Sequence, residues 1–444
     1  MRLSVLMGRG QVGRLAPGRV SACVFGLALA ACGGEPPAPA VRTVALPAPE
    51  ADQPALEPHL AIDPANPDRI VVAAQYGVGY NRGGRKIWTW TSGDGGASWS
   101  GATMPIPVPN AVLAADAVTG FDREGRAVLV FLATDSAFRG GAALTRTGPD
   151  DLQFGPARIV VPDRFDQGEG PIDKGWLAID RAPTSPFAGA IYLSWHVMRL
   201  LPERQVESTL WLNQLRGDRW GEPTRIGTNF GGQVATRSTG VIDLVFGSSD
   251  DRTLLHTTSD DGGRTVAAPD TVVVLSDSLG LEGPTIAIES GDTVAVCWSE
   301  GRRGAGSGHT VACARMGGNG PWSPPNRIAP PAGGSIGFPA IAASPEGLWL
   351  LAYRSDSAST TVELFRSVGG AGFQPERSLA SRPFGGSRFC PAPGAPCRRD
   401  TTAYFPGDYF GLAVADRRVA AAYTLPLDDS PTGRSTVFVS LIRR

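Results

Sequence analysis

The sequence predicts an all-β protein: a seven-bladed β-propeller of four-stranded blades, closed by pairing an N-terminal strand with the C-terminal blade. Three observations carry this. The turn sequence SGDGGASW at Ser92–Trp99 recurs in degraded form at one place in a longer unit. The units open on strands of a common form, P-x-I-A-x, seen at Pro58, Pro284 and Pro339. No stretch beyond the N-terminal segment keeps a helical period. Short strands repeating at this spacing mark a radial or stacked array. The repeat overrides the prior of about three domains that 444 residues would otherwise suggest.

Each unit reads as four strands. After the opening strand comes an apolar run that often ends in an aromatic residue, as in AIYLSW (Ala190–Trp195), TVAVCW (Thr293–Trp298) and LWLLAY (Leu348–Tyr353). A polar loop leads to a third run, such as KIWTWTS (Lys86–Ser92) or RTLLHTTS (Arg252–Ser259). The Gly/Asp turn and a short fourth strand, such as RIVV (Arg158–Val161), complete the unit. β-branched and aromatic runs bounded by Gly/Asp turns are strand and hairpin signals. First strands begin near Pro58, Ala117, Trp176, Val234, Pro284, Pro339 and Phe410. The seventh unit stops at Arg444 without a fourth strand, and VRTVAL (Val41–Leu46) supplies the candidate that closes the ring. Closure hides the strand edges that an open array would expose.

The N-terminus reads as a targeting segment. Arg14 and Arg19 precede an apolar run from Val20 to Ala31 that is too short to span a bilayer. It ends Leu29-Ala30-Ala31-Cys32, which resembles a bacterial lipobox and implies lipidation of Cys32 after cleavage. The expected organisation is a signal peptide at 1–31, a Pro/Ala/Gly tether at 32–40 and one propeller domain at 41–444, held at the cell envelope by its lipid. Loss of the signal leaves 37 basic and 42 acidic residues, a net charge of −5. A mildly acidic body with no basic run argues against a nucleic-acid partner, and a monomer is expected. Four cysteines remain beyond Cys32. Cys297 and Cys313 fall on neighbouring strands of unit five, and Cys390 and Cys397 bracket PAPGAP; in an exported chain both pairs favour disulfides. Neither pair has zinc spacing.

The Ser92 turn fits S-x-D-x-G-x-x-W through Ser92, Asp94, Gly96 and Trp99, and the fourth copy fits through Ser259, Asp261 and Gly263. This resembles the Asp box, or bacterial neuraminidase repeat, of sialidase-like propellers. The resemblance implies that these residues fix the hairpin between third and fourth strands, on the face away from the ligand site, and that a six-bladed sialidase-type ring is the alternative count. An Asp that gathers backbone N–H groups and a Gly that supplies positive φ suit that structural role.

The opposite face is where a ligand is expected. Strand entries there carry Glu57, Asp116, Asp173, Glu282 and Asp408, with Gln233 and Phe338 in the other units. GPIDKGWLAID groups Asp173, Lys174 and Trp176, and FPGDYFGLAVAD groups Asp408 and Tyr409. Lys174 is one of two lysines among 41 basic residues, a bias that singles out its point charge. Loops between second and third strands add Arg82, Arg85, Arg139, Arg199, Arg204, Arg302, Arg303 and Arg354. The candidate ligand set is Glu57, Asp116, Asp173, Lys174, Glu282, Asp408, Tyr409 and Arg302. Acids ringed by arginines suit a polar or anionic ligand such as a sugar acid, bound without catalysis; a partner protein is the other candidate. The alternative is an exo-sialidase or related glycoside hydrolase, with Tyr409 as nucleophile and Asp173 or Asp116 as acid. The Arg-Ile-Pro signature of that family is absent, and the equivalent entry reads LEPHLAID. A third reading places structural Ca²⁺ between Glu57, Asp116, Glu282 and Asp408. His59, His196, His256 and His309 are scattered and suggest no transition-metal site.

Overall fold

Burial on both faces explains why the second strands are continuously apolar rather than alternating. All eight residues of Ala127–Thr134 are buried, and so are all but the last of Arg418–Pro426. The computed structural model describes residues 40–48, 54–77, 86–163, 170–201, 206–280, 283–301, 309–356, 359–379, 407–427 and 435–443. No helix occurs among them. They form seven four-stranded antiparallel blades, so the seven-fold count holds and the six-bladed alternative does not. The signal segment, Cys32, Glu282, Arg302, Arg303, Arg82, Arg85, Arg204, Cys390 and Cys397 lie outside the described residues.

The first strands are Ala55–Ile62, Leu113–Phe121, Ile172–Ile179, Thr224–Thr236, Thr285–Glu289, Ser335–Ser344 and Gly411–Ala415. Each packs on the first strand of the next blade, and the last packs on the first, so these strands ring the central channel. Thr224–Thr236 serves twice. Its start pairs with Val206–Arg216 as the outer strand of blade 3, and its end pairs with Ile242–Ser248 as the inner strand of blade 4. Units two and four, which lack the proline signature, are full blades.

The ring closes as expected. Val41–Ala45 pairs antiparallel with Ser435–Arg443, in register from Val41↔Ile442 to Ala45↔Phe438. The Leu46 N–H donates to the Val437 carbonyl at 2.8 Å, and the Trp90 indole of blade 1 donates to the Pro47 carbonyl at 3.0 Å. Apolar layers fill the space between blades; one sets Leu60, Ile62 and Trp90 of blade 1 against Ala420, Ala422 and Val439 of blade 7. Burial of the larger side chains supplies roughly 1.5–3 kcal/mol each.

Ser92, Asp94, Gly96 and Trp99 lie at the turn between the third and fourth strands of blade 1. The Ser92 hydroxyl accepts from the Gly96 N–H at 2.8 Å, and the Asp94 carboxylate accepts from the Ser98 N–H at 2.9 Å and the Ser98 hydroxyl at 2.6 Å. The Ser98 hydroxyl and N–H hold the Asp94 carboxyl far below the usual carboxylate range. The turn at Ser259, Asp261 and Gly263 repeats this, with the Thr265 N–H on Asp261 at 3.0 Å. Cys297 and Cys313 sit directly opposite each other in blade 5 and are joined as a disulfide.

Candidate functional site

The site begins as a recurring backbone kink. At the entry to six of the seven first strands, one residue adopts a left-handed conformation: Glu57 (φ 53°), Asp116 (54°), Lys174 (49°), Gly231 (48°), Gly283 (76°) and Phe338 (58°). In blades 1, 2, 3, 4 and 6 the strand skips register at this residue. A left-handed residue that is not Gly costs about 1–2 kcal/mol. Such strain clusters where a backbone must aim a group.

Four consecutive blades, 7, 1, 2 and 3, join their entries through polar contacts. Glu57 accepts from the Asp408 N–H at 3.0 Å and from the Gln75 side-chain amide. Asp116 accepts from the Lys174 N–H at 2.9 Å. The Lys174 ammonium meets the Asp408 carboxylate at 2.8 Å, with their side chains 22% and 18% exposed. The Tyr409 hydroxyl donates to the Ala117 carbonyl at 3.2 Å. Gly407 (φ 110°) lets the blade 7 entry pass close to Glu57; a Cβ there would overlap the Glu57 side chain. Thus Glu57, Asp116, Asp173, Lys174, Asp408 and Tyr409 converge, although Glu57 and Asp408 stand 351 positions apart.

The electrostatics are those of crowded acids. Burial, and then the Glu57 charge, push the Asp116 carboxyl up to about 7. Burial, and then the Asp116 charge, push Asp173 up to about 7 as well. Carboxyls raised this far by burial and neighbouring acids hold their protons to near neutral pH. Burial works against the Lys174 ammonium, but Asp408 and Asp173 outweigh it and hold the group firmly protonated. Burial and the surrounding carboxylates keep the Tyr409 phenol well above its ordinary range.

Three site residues escaped the sequence reading. Gln75 is 1% exposed, and its Oε1 has no partner among the described residues. It is the one strongly polar side chain in the run IVVAAQY, which is the signal that would have found it. His59 accepts from the Thr119 N–H at 3.2 Å and stands edge-on to Trp176 at 5.2 Å. Burial lowers it to about 4, so it is neutral. His196 lies opposite Asp173 in register, with its Nδ1 2.9 Å from the Ser208 hydroxyl. Its buried Nε2 has no partner among the described residues, and burial with the nearby Lys174 charge lowers it to about 3. Trp176 and Tyr409, both partly exposed, meet edge to face at 5.7 Å beside the acids.

Three of the eight loop arginines are described: Arg139 pairs with Asp135 at 2.7 Å, Arg354 pairs with Glu363 at 3.3 Å, and Arg199 is exposed. Among the described residues no group of three or more metal-ligating side chains stands in suitable geometry, and Glu282, a member of the expected cation cage, lies outside them. Both Glu57 oxygens accept from N–H donors, and one Asp408 oxygen meets Lys174 while the other, Oδ1, is buried with no partner among the described residues. Gln233 turns to the backbone of blade 5, accepting from the Ile286 N–H at 3.2 Å, and Phe338 packs in the core against Tyr353 and Phe410. The channel mouth is therefore polar along blades 7 to 3, while blades 4 to 6 present Gly231, Gly283 and Phe338 at the kink.

No protein-family model and no curated protein matches the sequence. Among solved structures the chain is similar to an ulvan lyase of a polysaccharide lyase family, at 11% identity and a TM-score of 0.51, over 89% of this chain and 95% of that one. It is also similar to a Trypanosoma rangeli sialidase (9% identity, TM-score 0.43, 91% of this chain and 60% of that one). A fucose-specific lectin from Aleuria aurantia is a third (12%, 0.43, 77% and 99%). At such identities the likeness is one of fold alone.

Proposed function

We propose that this protein is an exported, lipid-anchored, sialidase-like propeller that binds a glycan at the channel mouth formed by blades 7, 1, 2 and 3. The observation that carries the reading is the convergence of Asp173, Lys174, Asp408 and Tyr409, all partly exposed, beside the Trp176 ring. Sugars are recognised by acceptor and donor groups around the hydroxyls and by an aromatic face against the C–H surface, and a concave mouth with a few convergent polar groups offers both. Ser92–Trp99 serves as the structural Asp box at the other end. Export and anchoring rest on the Leu29-Ala30-Ala31-Cys32 motif. The test is a glycan array probed with the wild-type protein and with Trp176→Ala and Tyr409→Phe. Binding that survives in Tyr409→Phe and fails in Trp176→Ala, with both variants folded, supports the reading. A flat array, with a protein captured through the same face, would replace the glycan by a protein ligand. Loss of fatty-acid labelling in Cys32→Ala tests the anchor.

A glycoside hydrolase is the second reading, favoured by the crowding of Asp116 and Asp173 at the mouth, where burial and neighbouring acids raise both carboxyls toward the range a general acid needs. The exo-sialidase form fits less well. Tyr409 gives its proton to a backbone carbonyl rather than to a carboxylate base, and the described arginines pair away from it. Turnover of a fluorogenic sialoside that is lost in Tyr409→Phe would restore that form.

A further inference from the structure

The turn of blade 5 is fastened differently from the turn of blade 1. In blade 1, Ser92, Asp94 and Gly96 precede Trp99 at fixed offsets; the same offsets before Trp322 hold Arg315, Gly317 and Asn319. The hydroxyl and carboxylate that gather the Ser92 turn onto itself have no counterpart at these positions. Blade 4 supplies contacts instead. Arg237 donates to the Gly318 carbonyl at 3.0 Å and to Asn319 Oδ1 at 3.2 Å. The Trp322 indole donates to Asp270 Oδ2 at 2.8 Å.

These two holds are joined through one buried ring. Arg237 grips Asp243 through Nη2 at 2.6 Å and Nε at 2.8 Å. His256 Nε2 lies 2.8 Å from Asp243 Oδ1, and its Nδ1 lies 2.8 Å from Asp270 Oδ1. Asp243 is 0% and His256 2% exposed, and the Trp322 ring stands edge-on to His256 at 5.3 Å. Asp243 accepts from a guanidinium at both oxygens, so Nε2 carries a proton and donates to it. A neutral imidazole has only that one N–H. The contact between Nδ1 and Oδ1 therefore needs a further proton, whichever of the two atoms bears it. Without that proton a ring lone pair faces a carboxylate oxygen in a buried site, which is unfavourable.

We infer that this proton is a latch: while it lies between His256 and Asp270 the blade 5 turn is held to blade 4, and its loss as pH rises frees Asp270 and with it Trp322. Protonation changes and no covalent bond does; the proton goes to solvent. The Asp270 side chain is 50% exposed, so it has water to turn into. Arg237 keeps Gly318 and Asn319, which confines the opening to the Trp322 end of the turn. Among the described residues, the charged groups facing His256 are Asp243 and Asp270 of its own blade, with Arg237 behind Asp243. Blade 5 presents Trp322, which does not titrate, and Asp292, which acts on Arg237 and accepts from the Ser238 N–H at 2.8 Å. The inference does not depend on the glycan reading.

The test is nuclear magnetic resonance of the full chain with ¹⁵N-labelled histidine; four histidines keep the spectrum simple. At pH about 5 the His256–Asp270 contact should show a bonded proton, and that proton should be lost as the pH is raised toward about 9. Over the same rise the Trp322 indole N–H should lose protection from exchange by about tenfold or more, after correction for the intrinsic rate, the worth of one charge-assisted hydrogen bond. The Gly96 N–H of the self-fastened blade 1 turn is the internal control and should not change. Asp270→Asn, at a half-exposed site, offers an N–H to Nδ1 and keeps an oxygen for Trp322, so it should hold the turn at both ends of the range without the extra proton. His256→Gln should leave the Trp322 N–H poorly protected at both. A contact with no proton at pH about 5, a proton kept throughout the range, or a Trp322 N–H that stays protected while the proton is lost overturns the inference. An Asp270→Asn variant that still opens with pH overturns it as well.

Discussion

Replacing Asp173 by Asn should stabilise the protein at neutral pH, the opposite of what removal of a buried hydrogen-bonded residue usually does. In the unfolded chain both Asp116 and Asp173 ionise near 3.8, whereas in the folded protein burial, with the Glu57 charge acting on Asp116 and the Asp116 charge on Asp173, holds them protonated up to about 7. Between those values the folded state binds more protons than the unfolded state. Stability contributed by the pair is therefore fully present below about pH 4, falls as pH rises, and levels off above about 7. Each tenfold change in proton affinity is worth about 1.4 kcal/mol, so one carboxyl moved across this window is worth ~4 kcal/mol. The introduced side-chain amide is neutral at every pH and has no proton to lose. Lys174 gives up one neighbouring carboxylate but keeps Asp408, which offsets part of the gain. Asp173→Asn is thus expected to match wild type near pH ~4.5 and to exceed it by ~2–4 kcal/mol at pH ~8. Urea unfolding followed by tryptophan fluorescence at the two pH values measures this. A variant less stable than wild type at the higher pH, or a difference that does not change between the two, would refute the account of a buried Asp173 held protonated to near neutral pH.

Two further outcomes follow from the closure and the turns. Deleting residues 41–46 removes a strand that pairs over five positions and leaves Ser435–Arg443 as an exposed edge. The melting temperature should drop by several degrees at least, and light scattering should report association that grows with concentration. An unchanged, monomeric truncation would show that the clasp is dispensable. Gly96→Ala places a Cβ on top of Leu441 Cδ1 at a φ of +83°, whereas Gly93 has nothing within 4 Å. The first substitution should cost about 2–4 kcal/mol and Gly93→Ala less than ~1 kcal/mol, by the same unfolding assay.

The architecture was legible because its signals are local and repeated. The proline and I-A pair of a first strand, the aromatic at the end of a second, and the Ser/Asp/Gly turn each recur from blade to blade, so weak signals reinforce one another. Unit four was harder, since Thr224–Thr236 runs from one blade to the next with no turn of its own. In the site, Asp116, Asp173, Lys174, Asp408 and Tyr409 were found through their position at strand entries. Their pairing was not, because it depends on which entries meet: the Lys174–Asp408 contact spans blades 3 and 7 across the mouth. The partners of the loop arginines were equally illegible. Arg139 does lie in a loop between second and third strands, but its preference for Asp135, four residues away, is a hairpin matter. Gln75, His59 and His196 sit within strands, where a polar residue looks like an accident of packing until a partner from another blade appears.

The left-handed kink has a consequence for how such a molecule diversifies. Its geometry is the same whether the side chain is Glu, Asp, Lys, Phe or merely hydrogen. Side chains as different as these occupy the same kink at the cost of a left-handed backbone, so the lining of the pore can be rewritten one socket at a time while the toroid stays intact. A chain with the same blades and different occupants would keep this shape and greet another molecule at its door.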